Sequence, residues 1–388
     1  AIYLPHAQQL VEKGQAYYCF CSNERIESLH NAGAFKYDKH CLSLSKAEVQ
    51  ARLDAGEPYV IRQNIPLEGT TSFTDMLYGE ITVENSTLDD TVLIKSDGMP
   101  TYNFANVIDD HLMEITHIFR GNEFISSTPK FIRLYDAFGW DKPSIAHLPP
   151  IMKDEHNKLS KRKGDPSFED LLEQGYIKDA VVNYIALLGW SPGTNQEFFT
   201  LPELVEAFSI EGVSKSPAIF DPVKLAWMNG EYIKKLTLDE FDSYAARWYA
   251  AAGVSWMDCR RISELMQSRI SVFSEIPEKI SFLTEMPEFS PELYNREKLK
   301  CTIQSAKEIL PVAYQTLEAL ENWSEQAINE ALAALPEKLG VKKGLIYWPV
   351  RIAISGLEST PGGAAEIAYL LGKAETLRRL KKSIEDLK

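Results

Sequence analysis

The chain has 388 residues, a formal net charge of −14 and an isoelectric point near 5.1. That balance excludes a protein held on nucleic acid by bulk charge, since phosphate contacts need Lys and Arg. No apolar run approaches the roughly 18 residues of a membrane span. No secretory leader pattern opens the chain, and five cysteines in so long a sequence do not form a disulfide framework. Two to three soluble domains, roughly, are predicted from the length, with the cytoplasm as the default compartment.

The opening segment, "AIYLPHAQQLVEKGQAYY", reads as a helix already under way. Leu4, Ala7, Leu10 and Val11 follow helical spacing and Gly14 ends the run. The segments "PYVIRQNI", "GEITVEN" and "DTVLIKSDG", within 58–96, are short, β-branched and parted by turn residues, so this stretch is expected to be strand-rich. "HIFRGNEF" reads as a strand closing on a Gly turn, "STPKFIRLYDAFGW" as a helix with a Ser/Thr cap, and "SIAHLPPIM" as a second strand. Strand, helix, strand in that order signals a parallel sheet. After 166 the chain turns helical, through "DAVVNYIALLGW", "FTLPELVEAF" and "DPVKLAWMNGEYIKKL", with breaks expected near 286–291 and 336–345. Residues 337–388 hold ten Lys/Arg against six Asp/Glu, a local charge of +4 within an acidic chain.

Positive charge also gathers in "KLSKRKGD", residues 158–165, just past the second strand of the parallel pair. Open α/β sheets place their ligands beyond strand C-termini. Taken alone, such a run reads as a solvated surface loop. Its alternative is a phosphate clamp, in which lysines supply mobile point charges to a polyphosphate.

The order of residues decides between the two. "KLSKR" resembles the Lys-Met-Ser-Lys-Ser signature of class I aminoacyl-tRNA synthetases, and "PTYNFANVIDDHLMEITHIFRGNEFISSTPKFIRLYDAFGW", "FDPVKLAWMNGEYI" and "PVRIAISGLESTPGG" resemble bacterial-type glutamyl-tRNA synthetases, in the family's order and over essentially the whole chain. The resemblance implies a class I nucleotide-binding (Rossmann-like) α/β fold with an inserted acceptor-binding domain, followed by all-α domains. It implies four regions: residues 1–101 as the acceptor-binding insertion, 102–165 as the second half of the catalytic fold, 166–237 as a helical stem-contact domain, and 238–388 as anticodon-binding helices with a break near 290–300.

The same resemblance assigns residues. Lys158, Leu159, Ser160, Lys161 and Arg162 would grip ATP's phosphates, with Lys161 stabilising the departing pyrophosphate. Glu123 and the main chain of Ile151 belong to the ATP site, and Tyr102, Asn106 and Arg120 to the glutamate site. The chemistry agrees, because a substrate carboxylate asks for a bidentate Arg, and residues four apart share a helix face. Each of these polar residues alone would read equally as a structural hydrogen-bonding group. Phe124 stands where some relatives carry Trp. The family's other signature, His-Ile-Gly-His, does not occur in this sequence, so the chain as given is expected not to form the adenylate by itself.

Cys19, Cys21 and Cys41, with Tyr37 or His40 nearby, offer three sulfurs and a fourth donor to tetrahedral zinc, against a plainer reading as buried thiols. Cys-x-Cys followed by Tyr-x-x-x-Cys resembles the zinc site of some glutamyl enzymes and their glutamyl-queuosine relatives, which implies Tyr37, with His40 as the chemically commoner donor. Cys259 and Cys301 read as core residues. In the helical region, Arg269, Arg351 and Thr360 match anticodon-reading positions. Without that match, Arg351 reads as a surface charge and Thr360, before Pro361, as a helix cap.

The function implied is ATP-dependent activation of L-glutamate and its transfer to tRNA-Glu, with Mg²⁺ accompanying ATP, a structural Zn²⁺, and a cytoplasmic monomer without membrane partners. Two rivals remain at this stage. One is a non-catalytic tRNA-binding module descended from a synthetase. The other is an unrelated nucleotide-binding α/β enzyme, for which the sequence holds no Gly-x-Gly-x-x-Gly or Walker loop.

Overall fold

Leu4, Ala7, Leu10 and Val11 share one face of the first helix, α1 (Tyr3–Glu12), and bury it. Gly14, at φ +72°, turns the chain straight into β1 (Ala16–Cys19). The structure, a computed structural model, describes every residue but Ala1 and Phe35, and not the side chain of His30. By contact the chain divides into two units: residues 1–158 with 188–196 and 206–220, and residues 159–187 with 197–205 and 221–388.

In the first unit, α2 (Asn23–Asn31) and α3 (Lys46–Asp54) follow β1, and α3 starts on a reciprocal Ser45–Glu48 capping box. The strand-rich stretch holds β2 (Val60–Gln63), β3 (Thr70–Asp75), β4 (Gly79–Glu84) and β5 (Val92–Ile94). Next come α4 (Tyr102–Leu112), β6 (His117–Gly121), α5 (Thr128–Phe138), β7 (Ser144–Leu148) and β8 (Ile151–Met152). β1, β2 and β5 form an antiparallel sheet in which Tyr17 pairs with Arg62 and Cys19 with Val60.

A second sheet runs β4-β3-β7-β6, with β6 and β7 parallel in register from His117↔Ser144 to Gly121↔Leu148. The strand–helix–strand reading of 117–148 is thus correct, and the β3–β4 hairpin joins the same sheet through Asp75↔Ile145. The expected Ser/Thr cap on α5 is not formed. Ser127 makes no capping bond, and Thr128 Oγ1 donates instead to the Phe124 carbonyl. α4 and α5 bury Phe104, Val107, Ile108, Phe131, Leu134 and Tyr135 with α1 and the first sheet in one core. Each large apolar side chain there is worth about 1.5–3 kcal/mol of burial.

The later helices are α6 (Phe168–Glu173), α7 (Lys178–Gly189) and α8 (Leu201–Ala207). After the two-residue strand β9 (Ala218–Ile219), which pairs in parallel with β8, come α9 (Pro222–Lys235), α10 (Leu238–Ala251), α11 (Cys259–Met266), α12 (Ile276–Ile280), α13 (Ile303–Glu318), α14 (Glu325–Leu339), α15 (Lys343–Ser355) and α16 (Ala364–Asp386). Asp221 caps α9 and Thr237 caps α10. A single apolar core runs from Ile177 to Leu387 through the second unit. Within it Arg379, 1 % exposed, is fixed by Glu375 and by the carbonyls of Phe282, Ile354 and Leu283. No helix of the described residues is long and apolar enough to cross a membrane.

Candidate functional site

Four clusters hold the residues singled out from the sequence. The first lies where α4, β6 and α5 meet. Tyr102 opens α4 and is 61 % exposed, its ring 6.0 Å from that of Phe124. One turn on, Asn106 points inward, and neither its Oδ1 nor its Nδ2 has a hydrogen-bond partner among the described residues. Arg120, near the end of β6, packs its guanidinium 5.2 Å from the Phe124 ring and 5.1 Å from that of Phe131, leaving a buried Nη1 unpartnered. Asn106 and Arg120 line one small cavity with Asp110 and Tyr135. Sequence reasoning passed over Tyr135, which is 2 % exposed and whose hydroxyl is also unpartnered. Burial holds the Asp110 carboxyl above its ordinary pKa, against the pull of Arg120. Buried polar groups are nearly always satisfied, and here several donors and acceptors are left open to a polar ligand or to water.

The turn after Arg120 is braced from beneath. Asp75 Oδ2 lies 2.7 Å from His147 Nδ1, and His147 Nε2 lies 3.0 Å from Thr128 Oγ1, with all three residues buried. The same turn carries Glu123, which is exposed. Ile151, 39 % exposed, begins β8 and pairs with Ala218.

The second cluster is the basic loop. Lys158 forms an isolated bridge with Met152 and ends the first unit; Leu159 begins the second. Ser160 to Asp165 fold back on themselves. The Asp165 carboxylate accepts from the Ser160 N–H at 2.9 Å, Lys161–Lys163 make a tight turn, and Gly164 takes φ +85°, which favours glycine. The side chains of Lys158, Lys161, Arg162 and Lys163 are exposed and form no ion pair among the described residues. Lys161 lines an open groove with Asp170, Glu173, Trp248 and Ser274.

In the third cluster Cys19, Cys21 and Cys41 bring their sulfurs within 4.8 Å of one another. Tyr37 Oη lies 3.3 Å from Cys19 Sγ and 3.2 Å from Cys21 Sγ, and accepts from the Cys41 N–H at 3.1 Å. Cys21 and Cys41 sulfurs are 3.5 Å apart, close to the roughly 3.8 Å expected between two thiolates on tetrahedral zinc. His40 is exposed and does not join the sulfurs in this group, whereas the Tyr37 hydroxyl lies against two of them. Burial pushes the Cys21 thiol up to about 11 and the Tyr37 phenol still higher. Burial acts the same way on Cys19, but hydrogen bonds from Tyr37 and the Cys21 backbone and the charge of Arg62 bring it below its ordinary value. Cys301 is buried in the helical core and Cys259 packs against it.

The fourth cluster lies around the segment 356–363. Arg269 Nη1 donates to the Thr360 carbonyl at 3.1 Å, and Arg351 Nη2 to the Glu358 carbonyl at 2.7 Å. Thr360 is not a helix cap: α16 starts after Gly363, and the Thr360 hydroxyl donates to the Gly362 carbonyl. The indole of Trp348 lies between two guanidiniums, Arg351 at 4.9 Å and Arg296 at 5.0 Å, and Arg296 pairs with Glu358. Arg351 Nε is buried and unpartnered, and burial with the nearby Arg296 pushes its pKa down. Trp348 and Arg296 were not singled out from the sequence. Trp348, three residues before Arg351 on α15, was the available signal.

Comparison with known proteins places these clusters in a family. Residues 1–227 match the family described as tRNA synthetases class I (E and Q), catalytic domain, and residues 225–384 match an anticodon binding domain. A glutamate–tRNA ligase of Clostridium novyi is 56 % identical over 391 residues, covering the whole of this chain and 80 % of that protein. One from Clostridium botulinum (strain Eklund 17B) is likewise 56 % identical, over 395 residues and 81 % of its length. In structure the chain resembles a glutamate tRNA ligase of Elizabethkingia meningosepticum crystallised with its amino acid, at 29 % identity and a TM-score of 0.87, over all of this chain and 82 % of that one. A catalytic-domain match over more than half the chain disfavours the non-catalytic tRNA-binding module.

Proposed function

The chain belongs to the class I tRNA synthetases, within the glutamate–tRNA ligases, and from that premise we propose a role for each cluster in joining glutamate to tRNA. In this reaction the α-carboxylate of glutamate attacks the α-phosphorus of ATP and pyrophosphate leaves; a hydroxyl of the terminal adenosine of tRNA-Glu then attacks the glutamyl carbonyl of the adenylate, forming the ester and releasing AMP. The adenosine hydroxyl is the nucleophile, so no covalent intermediate on the protein is required. The protein contributes position and charge.

Arg120 meets the substrate side-chain carboxylate, and Asn106 and Tyr102 complete the amino-acid pocket. The observation that carries this assignment is the pair of unmet buried groups, the Asn106 amide and Arg120 Nη1, on adjoining elements. Glu123 and the main chain of Ile151 serve ATP. Lys158 to Arg162 grip its phosphates, with Lys161 meeting the charge that grows on the leaving pyrophosphate; Mg²⁺ accompanies the nucleotide. Arg269, Arg351 and Thr360 read the anticodon. The four regions 1–101, 102–165, 166–237 and 238–388 correspond to acceptor binding, catalysis, stem contact and anticodon binding, and the protein works as a monomer in the cytoplasm.

A hydrogen bond to a charged group is worth about 1.5–3 kcal/mol. Measured in a chain that also carries the His-Ile-Gly-His segment, Arg120→Ala should therefore raise the glutamate KM in glutamate-dependent pyrophosphate exchange at least about tenfold, with the ATP KM little changed. Unchanged glutamate KM removes Arg120 from the pocket.

Cys19, Cys21, Cys41 and Tyr37 hold a structural zinc ion. When bound, it ties the β1 end to the segment around residues 37–41. Purified protein should carry about one equivalent of zinc, as expected for one four-donor site, and Cys41→Ser should lose it. A metal-free wild type whose stability Cys41→Ser leaves unaltered would rule the site out.

A further inference from the structure

We infer that Arg62 is the positioning and charge-neutralising residue of the Cys19/Cys21/Tyr37/Cys41 metal site, the partner without which this donor set binds zinc weakly. The inference rests on the zinc reading above and adds a residue that no motif or spacing singles out. Arg62 sits in the middle of β2 opposite Tyr17, two residues from the register pair Cys19↔Val60. Its guanidinium lies 4.3 Å over the Tyr37 ring. Its Nη1 donates to the Asp90 carbonyl at 3.1 Å, while its Nε is buried with no hydrogen-bond partner among the described residues.

The absence of a carboxylate beside Arg62 is what points to the metal site. A buried cation is costly unless paired. The nearest candidate, Asp90, is already committed: its carboxylate takes Lys39 Nζ at 2.6 Å, the Tyr17 hydroxyl at 2.7 Å and the Ile65 N–H at 3.0 Å. Arg62 forms no ion pair among the described residues. The acidic groups that act on it are Cys19, Tyr17 and Tyr37.

Charge arithmetic supplies the missing counter-ion. Three thiolates on a divalent ion carry a net charge of −1. One guanidinium brings the assembly to zero, and with a Tyr37 phenolate it halves the remaining excess. The stacked guanidinium also fixes the Tyr37 ring, so the phenol oxygen stays aimed at the sulfurs. Such outer partners of metal ligands are typically worth about 10–100-fold in metal affinity.

The test compares wild type, Arg62→Met and Arg62→Lys. Zinc content is measured on the purified proteins, zinc affinity by competition with a chromophoric chelator, and melting with and without zinc. Wild type should hold about one equivalent. Arg62→Met should bind zinc about 10–100-fold more weakly, while its metal-free form melts no lower than metal-free wild type, because without the ion the buried guanidinium has no excess negative charge to offset. Arg62→Lys, which keeps the charge and loses the planar stack, should fall between the two. Equal zinc affinity in wild type and Arg62→Met overturns the inference and leaves the zinc site standing. A metal-free Arg62→Met destabilised as much as its zinc-loaded form also overturns it, by making Arg62 a plain folding contact. Wild type that takes up no zinc removes the site and the inference together.

Discussion

The basic loop and the arginines around 356–363 are both cation clusters on an acidic chain, and they are built in opposite ways. Lys158, Lys161, Arg162 and Lys163 are exposed and form no ion pair among the described residues, and the last three are set on a tight turn with a glycine at its end. Arg269 and Arg351 are tied to carbonyls of one segment, and Arg351 is pressed against Trp348. A mobile lysine can follow a charge that moves during a reaction, whereas a fixed, planar guanidinium presents donors at set angles to a shape that does not change. The first design suits phosphates in transit and the second suits a base edge.

If that contrast is right, mutating the two clusters should affect different measurements. In a chain that also carries the His-Ile-Gly-His segment, Lys161→Ala should cut glutamate-dependent pyrophosphate exchange by about 10²-fold, the cost of losing one preorganised charge contact, and leave tRNA-Glu affinity within about twofold. A loss of tRNA affinity with the exchange rate intact would make the loop a nucleic-acid contact, and the contrast would vanish.

Arg351→Ala and Arg269→Gln should each lose about 1–3 kcal/mol of discrimination between tRNA-Glu and tRNAs with altered anticodons. Binding curves at two salt concentrations sharpen the point. If affinity falls alike for every tRNA and the salt slope drops by about one, these arginines hold phosphates.

The smallest effect concerns the anchor beneath the helical core. Arg378 foremost, with Arg379, holds the Glu375 carboxyl down at about 2, against the opposing effect of burial. A depressed carboxylate stabilises the fold above its unfolded pKa of 4.5, and the contribution drains away as pH falls toward 2. Partial exposure reduces its worth to on the order of 1 kcal/mol. Glu375→Gln should therefore lower the melting temperature slightly at pH 7 and flatten its fall between pH 5 and pH 2. An unchanged acid limb would show that the Glu375–Arg379 pair is neutral to stability.

Local pattern was enough to read α1 and the β6–α5–β7 unit, because each depends on side chains a few residues apart. The spacing of Tyr102 and Asn106 implied a shared face if the segment is helical, and both lie on α4. It could not foretell that one would lie in solvent and the other in a closed cavity, since that depends on how α4 packs on α5. The plainer alternative for Thr360, a helix cap, fails for a related reason: the helix begins after Gly363, and the hydroxyl turns to a local carbonyl instead.

By itself the sequence determined the donors: three cysteines, a tyrosine, a run of lysines, and the arginines of the helical region. Chemical type is carried by the residue and survives any folding. Tertiary structure alone decided the partners. The fold sets the Tyr37 hydroxyl against the cysteine sulfurs while His40 stays exposed, and Arg62 was brought over the Tyr37 ring by antiparallel pairing between strands some forty residues apart. Trp348 came to lie between Arg296 and Arg351 through the packing of α15. Contacts of that range are fixed by burial and register, and neither is written in the spacing of neighbours along the chain.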